Sequence, residues 1–564
     1  MIKFYRKLRD MSSERRLFVV GIGLLIIIAA ILRTWGLTFG LPYRYHIDET
    51  FYVAGALKMA SGFDLPITTH GPNLFYMVLL GEYGIYYVFT RFTGIVSSAA
   101  AFEQLYRSDP TVFVLLARLT SAISGALTLV PTYLIGKKIH GKGVGIGSAV
   151  ILGLSFQHIR ESHYGTPDVF VGLLVTLCLL FCIALIENGK MRYYVLCGIM
   201  AGLATGTKFT NILLWMPLMV THFILAWKDS DKTLLDAAKR IFSPHLGVMV
   251  LMFSLGFAFA YPNLVLRPLA FIEYVRFLIK VGKVGFITQF QIEPRSAWLY
   301  YIYSLSWGMG WLVVVFMIAG IFSVIIKKQV QGLLIIVFLL IYFIFLGRAP
   351  YYASRYLVPL LPLMCVLAAL GTKEVVYLIS KRDDKVKALI YVIAFVLLII
   401  QPAAYSIRHN YLLTQTDTRT IAKEWIEDNL PAGTGIAIDW QKHAPPLRAM
   451  EDEFPANDVP YEIMIADGIG LPRYSLDDYR SMGINYLVMS SFIDDLMLMS
   501  PADREKQQQF HHELFECCEL VYEIRPYHGD DKPPFVFDQI FGPVTSLWQF
   551  QRPGPVIRIY RLTP

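Results

Sequence analysis

Long uncharged runs of apolar residues constrain this chain more than any other feature. The runs 17–32, 247–260 and 332–347 contain no charged residue. Each approaches or reaches the roughly 20 residues that a helix needs to cross a hydrocarbon core. Across the 564 residues, 55% are apolar and only 17% are charged, which leaves too little polar surface for a water-soluble globule. The sequence therefore predicts an α-helical polytopic membrane protein.

The basic residues of the chain are distributed as in a membrane protein, in the segments between apolar runs. The net charge is +8, but Lys and Arg fall in short clusters between apolar runs, as in 3–16, 137–142 and 327–328. Such clusters mark cytoplasmic loops, so we expect a cytoplasmic N-terminus, contact with membrane lipids and no nucleic-acid partner. The first run reads as a retained anchor, because Arg33-Thr34-Trp35 follows it in place of a small-residue cleavage site.

Threading the chain by this charge rule predicts about eleven membrane-spanning helices. The run 72–89 is interpreted as a partly embedded helix within an outer loop, 36–110, because a span there would move the later basic clusters outside. Spans five and six are short for a bilayer and are either two spans or one bent pair around Thr207-Lys208. The predicted spans are 17–35, 111–136, 143–159, 168–187, 193–207, 210–227, 245–263, 299–326, 331–347, 355–379 and 386–405.

The chain changes character after Tyr405. Residues 1–405 are predicted to form the membrane domain, and the polar residues 406–564 a soluble extracytoplasmic α/β domain. Alternating apolar patterns indicate its secondary structure. Helices are predicted at 418–429, 476–482 and 502–516, and strands at 436–440, 484–489 and 556–560.

An acidic pair, Asp48-Glu49, follows the first span on the predicted outer side. Two adjacent carboxylates are costly to desolvate at a bilayer surface, so they favour chemistry over packing. Other ionisable residues from separate segments reach the same membrane level in this threading. They are His70, His158 to Asp168, Lys208, Arg348 and Arg355.

Five short motifs follow one another along the chain. They are Asp48-Glu49, Thr69-His70-Gly71-Pro72-Asn73-Leu74, His163-Tyr164-Gly165-Thr166-Pro167-Asp168, the segment 201–208 ending in Gly206-Thr207-Lys208, and Arg355-Tyr356-Leu357-Val358-Pro359. In this order they resemble the motifs of the GT-C membrane glycosyltransferases, among them the protein O-mannosyltransferases and the lipid A aminoarabinose transferase. The resemblance covers residues 15–405, and Gly71 stands where these enzymes often have a second proline.

The resemblance implies transfer of a monosaccharide from a polyprenyl-phosphate carrier to a lipid, glycan or protein acceptor on the extracytoplasmic side, with inversion. Asp48 is the candidate base, because an acceptor hydroxyl is a poor nucleophile until a carboxylate takes its proton. Glu49, the second candidate catalytic residue, orients Asp48, binds the acceptor or points to water. A lipid or solute transporter and a catalytically silent scaffold are the rival functions.

Arg160, Lys208 and Arg355 are candidates for binding the departing phosphate, which needs positive charge where negative charge grows. The alternatives are snorkelling for Lys208 and interfacial anchoring for Arg355. Arg118 lies within the second span and needs a partner, either a structural ion pair or a ligand.

The other candidate substrate-binding residues are His70, His163, Asp168, Tyr351 and Tyr352. Asp168 either caps the helix that it opens or faces Asp48 as a second carboxylate. No strong metal motif is present, so a divalent ion held by Asp48 and Asp168 is only an alternative, and no other cofactor is expected. Tyr351 and Tyr352 are candidate sugar contacts because they lie between Arg348 and Arg355.

Overall fold

The computed structural model describes residues 13–61, 73–228, 230, 242–284, 296–350, 352–380, 384–447, 460–466, 468 and 470–563. Up to Leu413 the described chain is helical. The longer helices are Ser13–Thr34, Ile47–Lys58, Leu74–Phe92, Ala99–Ser108, Thr111–Leu154, Pro167–Asn188, Met191–Thr207, Trp215–Lys228, Pro244–Ala260, Pro268–Val284, Ala297–Gly308, Trp311–Ile326, Val330–Gly347, Leu361–Ile379 and Asp384–Leu413.

The helices follow the apolar runs, and the breaks between them have local causes. The segment Thr111–Leu154 contains a kink at His140 and Gly141, where Gly141 has a φ of +80° that favours glycine. The predicted break near Thr207 is observed, because Lys208 is extended and a 3₁₀-helix, Phe209–Leu214, follows it. The single predicted span 299–326 is two helices bent by 113°.

Six helices of the described chain are long and apolar enough to cross a membrane, or seven if the bent pair counts as one span. The composition and these helices are those of an integral membrane protein. The total of eleven spans and the orientation of the N-terminus stay predictions. The run 72–89 forms the helix Leu74–Phe92, which packs against Ile47–Lys58.

Small residues bring two bundle helices into backbone contact. A Cβ on Gly202, in Met191–Thr207, would lie 2.3 Å from the Phe253 carbonyl oxygen in Pro244–Ala260. Gly198 faces the Met249 carbonyl in the same way, at 2.5 Å. In lipid the association of helices depends on such close van der Waals packing rather than on a hydrophobic force between them.

The chain beyond Leu413 forms a mixed five-stranded sheet with helices. The strands are β1 Gly435–Ile438, β2 Glu462–Ile465, β3 Tyr486–Ser490, β4 Cys518–Ile524 and β5 Ile557–Leu562, in the order β2-β1-β3-β5-β4. β1 is parallel to β2 and β3, whereas β5 is antiparallel to β3 and β4. The helices are Thr418–Asn429, Leu476–Ser481, Ser491–Met499 and Arg504–Cys517.

The predicted elements of this region are confirmed, since each coincides with an observed helix or strand within two residues. Its core follows from the alternation of side chains along β1. Ala437 faces the helix Arg504–Cys517, and Ile436 and Ile438 face the helix Thr418–Asn429. The prediction missed both edge strands, because no residue of β2 or β4 is fully buried and neither strand therefore has the burial pattern of a central strand.

Candidate active site

Four of the predicted charged residues line one cavity. Asp48, Asp168, Lys208 and Arg355 come from four separate segments and surround a volume of about 540 Å³. Asp48 and Asp168 each lie in the first turn of a helix, where a carboxylate is favourable because backbone N–H groups point outward there. Lys208 lies at a helix end, and Arg355 lies in the 3₁₀-helix Ser354–Leu360.

Each cation of the cavity pairs with one carboxylate. Arg355 Nη1 contacts Asp48 Oδ2, and Lys208 Nζ lies 2.5 Å from Asp168 Oδ1. The Tyr356 ring contacts both cations, with its centroid 4.6 Å from Lys208 Nζ and 5.7 Å from Arg355 Cζ. Since all four charged side chains are at most 23% exposed, the pairs are only partly screened by water.

One wall of the cavity is apolar and aromatic. Tyr52 lies one helical turn after Asp48, so helical spacing alone could have found it. A helix with an apolar face, Pro268–Val284, closes one side. The other apolar and aromatic side chains of the wall include Ile212, Leu213, Tyr261, Tyr274, Phe277, Leu278, Tyr342, Phe345 and Leu346. The cavity therefore combines a charged end with a surface suited to a hydrocarbon chain.

Glu49 points away from the cavity and is buried. Its carboxylate accepts hydrogen bonds from Arg118 Nε at 2.8 Å and Arg118 Nη2 at 2.7 Å, and from the Gly165 N–H at 2.8 Å. Arg118 also donates to the carbonyls of Leu37 and Phe39. Arg118 thus has the structural ion pair that its place in the second span required, and its partner is Glu49.

Two further predicted residues, Arg160 and His163, are buried and are not among the cavity-lining residues. Arg160 pairs with Glu161 and donates to the Asp538 backbone carbonyl at 2.8 Å. The two ring nitrogens of His163 lie 2.9 Å from the Ile159 carbonyl and 3.0 Å from the Trp35 carbonyl. Both side chains therefore make structural contacts of the segment 156–168, which ends at Asp168.

Of the two tyrosines predicted as sugar contacts, Tyr352 is described by the structure and is not among the cavity-lining residues. Tyr352 lies beside Tyr300, with ring centroids 4.5 Å apart, and Tyr356 lines the cavity four residues further on. Tyr356 was missed as a site residue, although it adjoins Arg355 in the same motif. His70 and Tyr351 lie outside the described residues.

A divalent ion held by Asp48 and Asp168 would compete with the cations of the cavity. Each carboxylate already has a cation as its partner, so a divalent ion would have to displace both. In the described chain, no group of three or more His, Cys, Asp and Glu side chains is arranged to hold a metal ion.

Comparison with known proteins points to one fold. The crystal structure of the oligosaccharyltransferase from Archaeoglobus fulgidus superposes with a TM-score of 0.55, covering 88% of this chain and 73% of that chain at 14% identity. The chain has the fold of a GT-C membrane glycosyltransferase. The AglB oligosaccharyltransferase of the same organism, in complex with an inhibitory peptide and a dolichol-phosphate, gives a TM-score of 0.52 at 13% identity over 87% of this chain and 72% of that chain.

Sequence comparisons agree with the GT-C fold. The family model of the dolichyl-phosphate-mannose-protein mannosyltransferases matches residues 114–261, which include Asp168, Lys208 and Tyr261 of the cavity. A dolichyl-phosphooligosaccharide-protein glycotransferase of Pyrococcus furiosus is 26% identical over 254 residues, 43% of this chain. The match covers only 32% of that relative. The resemblance to the GT-C glycosyltransferases is thus confirmed.

Proposed function

We propose that the protein is a membrane glycosyltransferase that moves a monosaccharide from a polyprenyl-phosphate carrier to an acceptor hydroxyl on the extracytoplasmic side. One observation carries the proposal: two carboxylates and two cations line a cavity whose other wall is apolar. A lipid-linked sugar phosphate needs this combination, because its phosphate seeks cations and its chain seeks a surface shielded from water.

The two ion pairs suggest how a donor is accepted. A phosphate that enters between Arg355 and Lys208 replaces the carboxylates as the partner of each cation, and Asp48 and Asp168 are then released. Arg355 can bind two phosphate oxygens with its planar fork, whereas Lys208 acts as a point charge. Binding of the donor thereby frees the base in the place where the base is needed.

Asp48 then takes the proton of the acceptor hydroxyl as the acceptor oxygen attacks the anomeric carbon. The bond from that carbon to the phosphate oxygen breaks, and the phosphate leaves with the electron pair. Arg355 and Lys208 stabilise the charge that develops on the phosphate. A single in-line displacement of this kind inverts the anomeric centre. Asp168 binds sugar hydroxyls beside Asp48, and Glu49 positions the Asp48 helix through Arg118.

The family model and one similar solved structure support a polyprenyl phosphate as the carrier of the sugar. The matching family model is named for a dolichyl-phosphate-linked mannose donor, and the AglB structure contains a dolichol-phosphate. In this chain Leu213, Phe277 and Phe345 offer the apolar surface for such a chain. The acceptor is a lipid, glycan or protein hydroxyl, and the extracytoplasmic side follows from the charge rule.

The test is transfer by the full-length protein in liposomes, with labelled polyprenyl-phosphate sugars and a crude membrane acceptor fraction. We expect covalent transfer by the natural protein and loss of transfer, with normal folding, in Asp48→Asn. Asp530→Asn is the matched control, because that carboxylate is fully exposed in the C-terminal region. Full turnover by Asp48→Asn would remove Asp48 from the mechanism. Translocation of the lipid without transfer would favour a transporter, and neither activity would favour a scaffold.

A further inference from the structure

A short helix from the C-terminal region lies against the candidate active site. This 3₁₀-helix, Phe537–Phe541, packs with Ala353 and Tyr356, which flank Arg355 in the chain. The contact between Ser354 and Asp538 joins residues 184 positions apart. The region after Leu413 is therefore in direct contact with a segment that lines the cavity.

Asp538 holds the residue that precedes Arg355. Its Oδ1 accepts a hydrogen bond from Ser354 Oγ at 2.7 Å and from the Ser354 N–H at 3.1 Å. Asp538 and Ser354 are both buried, at 1% and 0% exposure. Ser354 begins its 3₁₀-helix, so its N–H has no partner within the helix and needs one from outside.

The same short helix contacts the side chains around the Asp48–Arg355 pair. The Phe541 ring centroid lies 4.5 Å from Arg355 Cζ and 5.3 Å from the His46 ring. His46 is the N-cap residue of the helix that carries Asp48. One aromatic side chain thus packs on the arginine and beside the start of the carboxylate-bearing helix.

A second contact reaches the Asp48 helix from the sheet. Lys442, four residues beyond the end of β1, donates to Thr50 Oγ1 at 2.9 Å. Thr50 lies two residues after Asp48. Both members of the Asp48–Arg355 pair are therefore supported from the C-terminal region.

Burying the Asp538 carboxylate is costly, and apolar side chains of similar volume would hold two regions together at least as well. Its hydrogen bonds instead define the direction of the Ser354–Arg355 backbone. An active site needs such support, because a catalytic group loses effectiveness when it moves by about 1 Å.

We propose that Asp538 is a positioning residue that acts through Ser354 to hold Arg355 in the donor site, so that the C-terminal region completes the active site. This inference rests on the proposed function. Asp538 touches no reacting atom; it determines where the Arg355 guanidinium meets the phosphate.

The first test compares Asp538→Ala with the natural protein in the same transfer assay. Because Arg355 binds the donor, we expect the KM for the polyprenyl-phosphate sugar to rise, by up to about 100-fold, while the KM for the acceptor stays unchanged. Asp538→Asn keeps an oxygen that can accept from Ser354 and should restore most of the donor affinity. Equal changes in both KM values would overturn the proposal.

Asp439→Ala is the matched control for a general loss of stability. Asp439 is equally buried in the same region and also accepts from backbone N–H groups, those of Leu471 at 3.0 Å and Ser490 at 2.7 Å. Its contacts stay within the sheet region. At matched thermal stability, Asp439→Ala should leave the donor KM unchanged, and a rise equal to that of Asp538→Ala would contradict a positioning role.

A double-mutant cycle tests the route through Arg355. In an Arg355→Lys background, which keeps a cation but lacks the planar fork, Asp538→Ala should raise the donor KM far less than it does alone. Full additivity would show that Asp538 acts elsewhere.

Hydrogen exchange separates this inference from the proposed function. Asp538→Ala should speed amide exchange in peptides that cover 352–360, and Asp439→Ala should not. If the natural protein transfers no sugar, the proposed function fails, whereas exchange still shows whether Asp538 holds this segment. Unchanged exchange in Asp538→Ala would refute the contact on which the inference depends.

Discussion

The Glu49–Arg118 ion pair allows a test of whether Glu49 has a structural role while its neighbour Asp48 has a catalytic one. Both side chains are fully buried, and the Glu49 carboxylate accepts two hydrogen bonds from the guanidinium and one from the Gly165 N–H. Glu49→Ala removes the carboxylate and leaves the Arg118 charge with the carbonyls of Leu37 and Phe39 and with the Phe39 ring, whose centroid lies 3.9 Å from Cζ. We therefore expect a structural defect rather than a purely catalytic one.

The magnitude follows from the burial of the pair. Removing one partner of a buried ion pair lowers the free energy of unfolding by about 3–5 kcal/mol, since the remaining charge is left without compensation. Glu49→Gln keeps one acceptor oxygen and should lose less. The double variant Arg118→Met with Glu49→Gln removes both charges. Its free energy of unfolding should be higher than that of Glu49→Ala, because no unpaired charge remains.

The assay is unfolding of the purified variants in one detergent, followed by transfer activity measured well below the unfolding transition. Asp48→Asn serves as the comparison, because it should unfold like the natural protein and yet transfer no sugar. Unfolding of Glu49→Ala like the natural protein, together with loss of all transfer, would refute a structural role for Glu49. That result would give Glu49 a direct role in the chemistry.

Two further predictions concern other parts of the molecule. Gly202→Leu should lower the unfolding temperature, because even a Cβ would meet the Phe253 carbonyl oxygen at 2.3 Å. Gly247→Leu is the control and should have little effect, because a Cβ there meets no atom within 4 Å. Equal unfolding temperatures for the two variants would contradict the helix contact. Burial, and then the nearby Asp494, raise the pKa of Asp439 to about 7, so the part of its contribution to folding that depends on protonation is present below pH 4 and is lost as the pH rises towards 7. Unfolding of Asp439→Asn across this pH range should show a weaker decrease than the natural protein, and an identical pH dependence would rule out Asp439 as its source.

The comparison of prediction with structure shows which kinds of pattern are informative. The apolar runs and the alternation in 436–440 and 484–489 reflect local rules of burial, so their helices and strands were predictable. Edge strand β4 was not predictable, because none of its residues is fully buried and burial therefore imposes no clear alternation on its sequence. The bend after Gly308 was also missed, since a run of apolar residues does not show where a helix turns.

In the candidate site, too, the sequence indicated residues, whereas packing decided their roles. Residue types and motif order nominated Asp48, Asp168, Lys208 and Arg355, because charged groups are costly to desolvate at a membrane surface. They nominated Arg160 and His163 as well, which do not line the cavity. They left the role of Glu49 open, and only the structure shows that Glu49 is fully buried against Arg118 whereas Asp48 lines the cavity. Adjacent residues on a helix point in different directions, and only packing decides which direction faces the cavity.

The sequence by itself determined that this is a helical membrane chain with a mixed α/β region at its end, since hydrophobic patterns are set by neighbouring residues. Only the tertiary structure decided that Glu49 belongs to Arg118, that Tyr356 contacts both cations, and that Asp538 reaches Ser354. These contacts join residues that are far apart in the chain. They depend on how helices pack, and no local pattern records that.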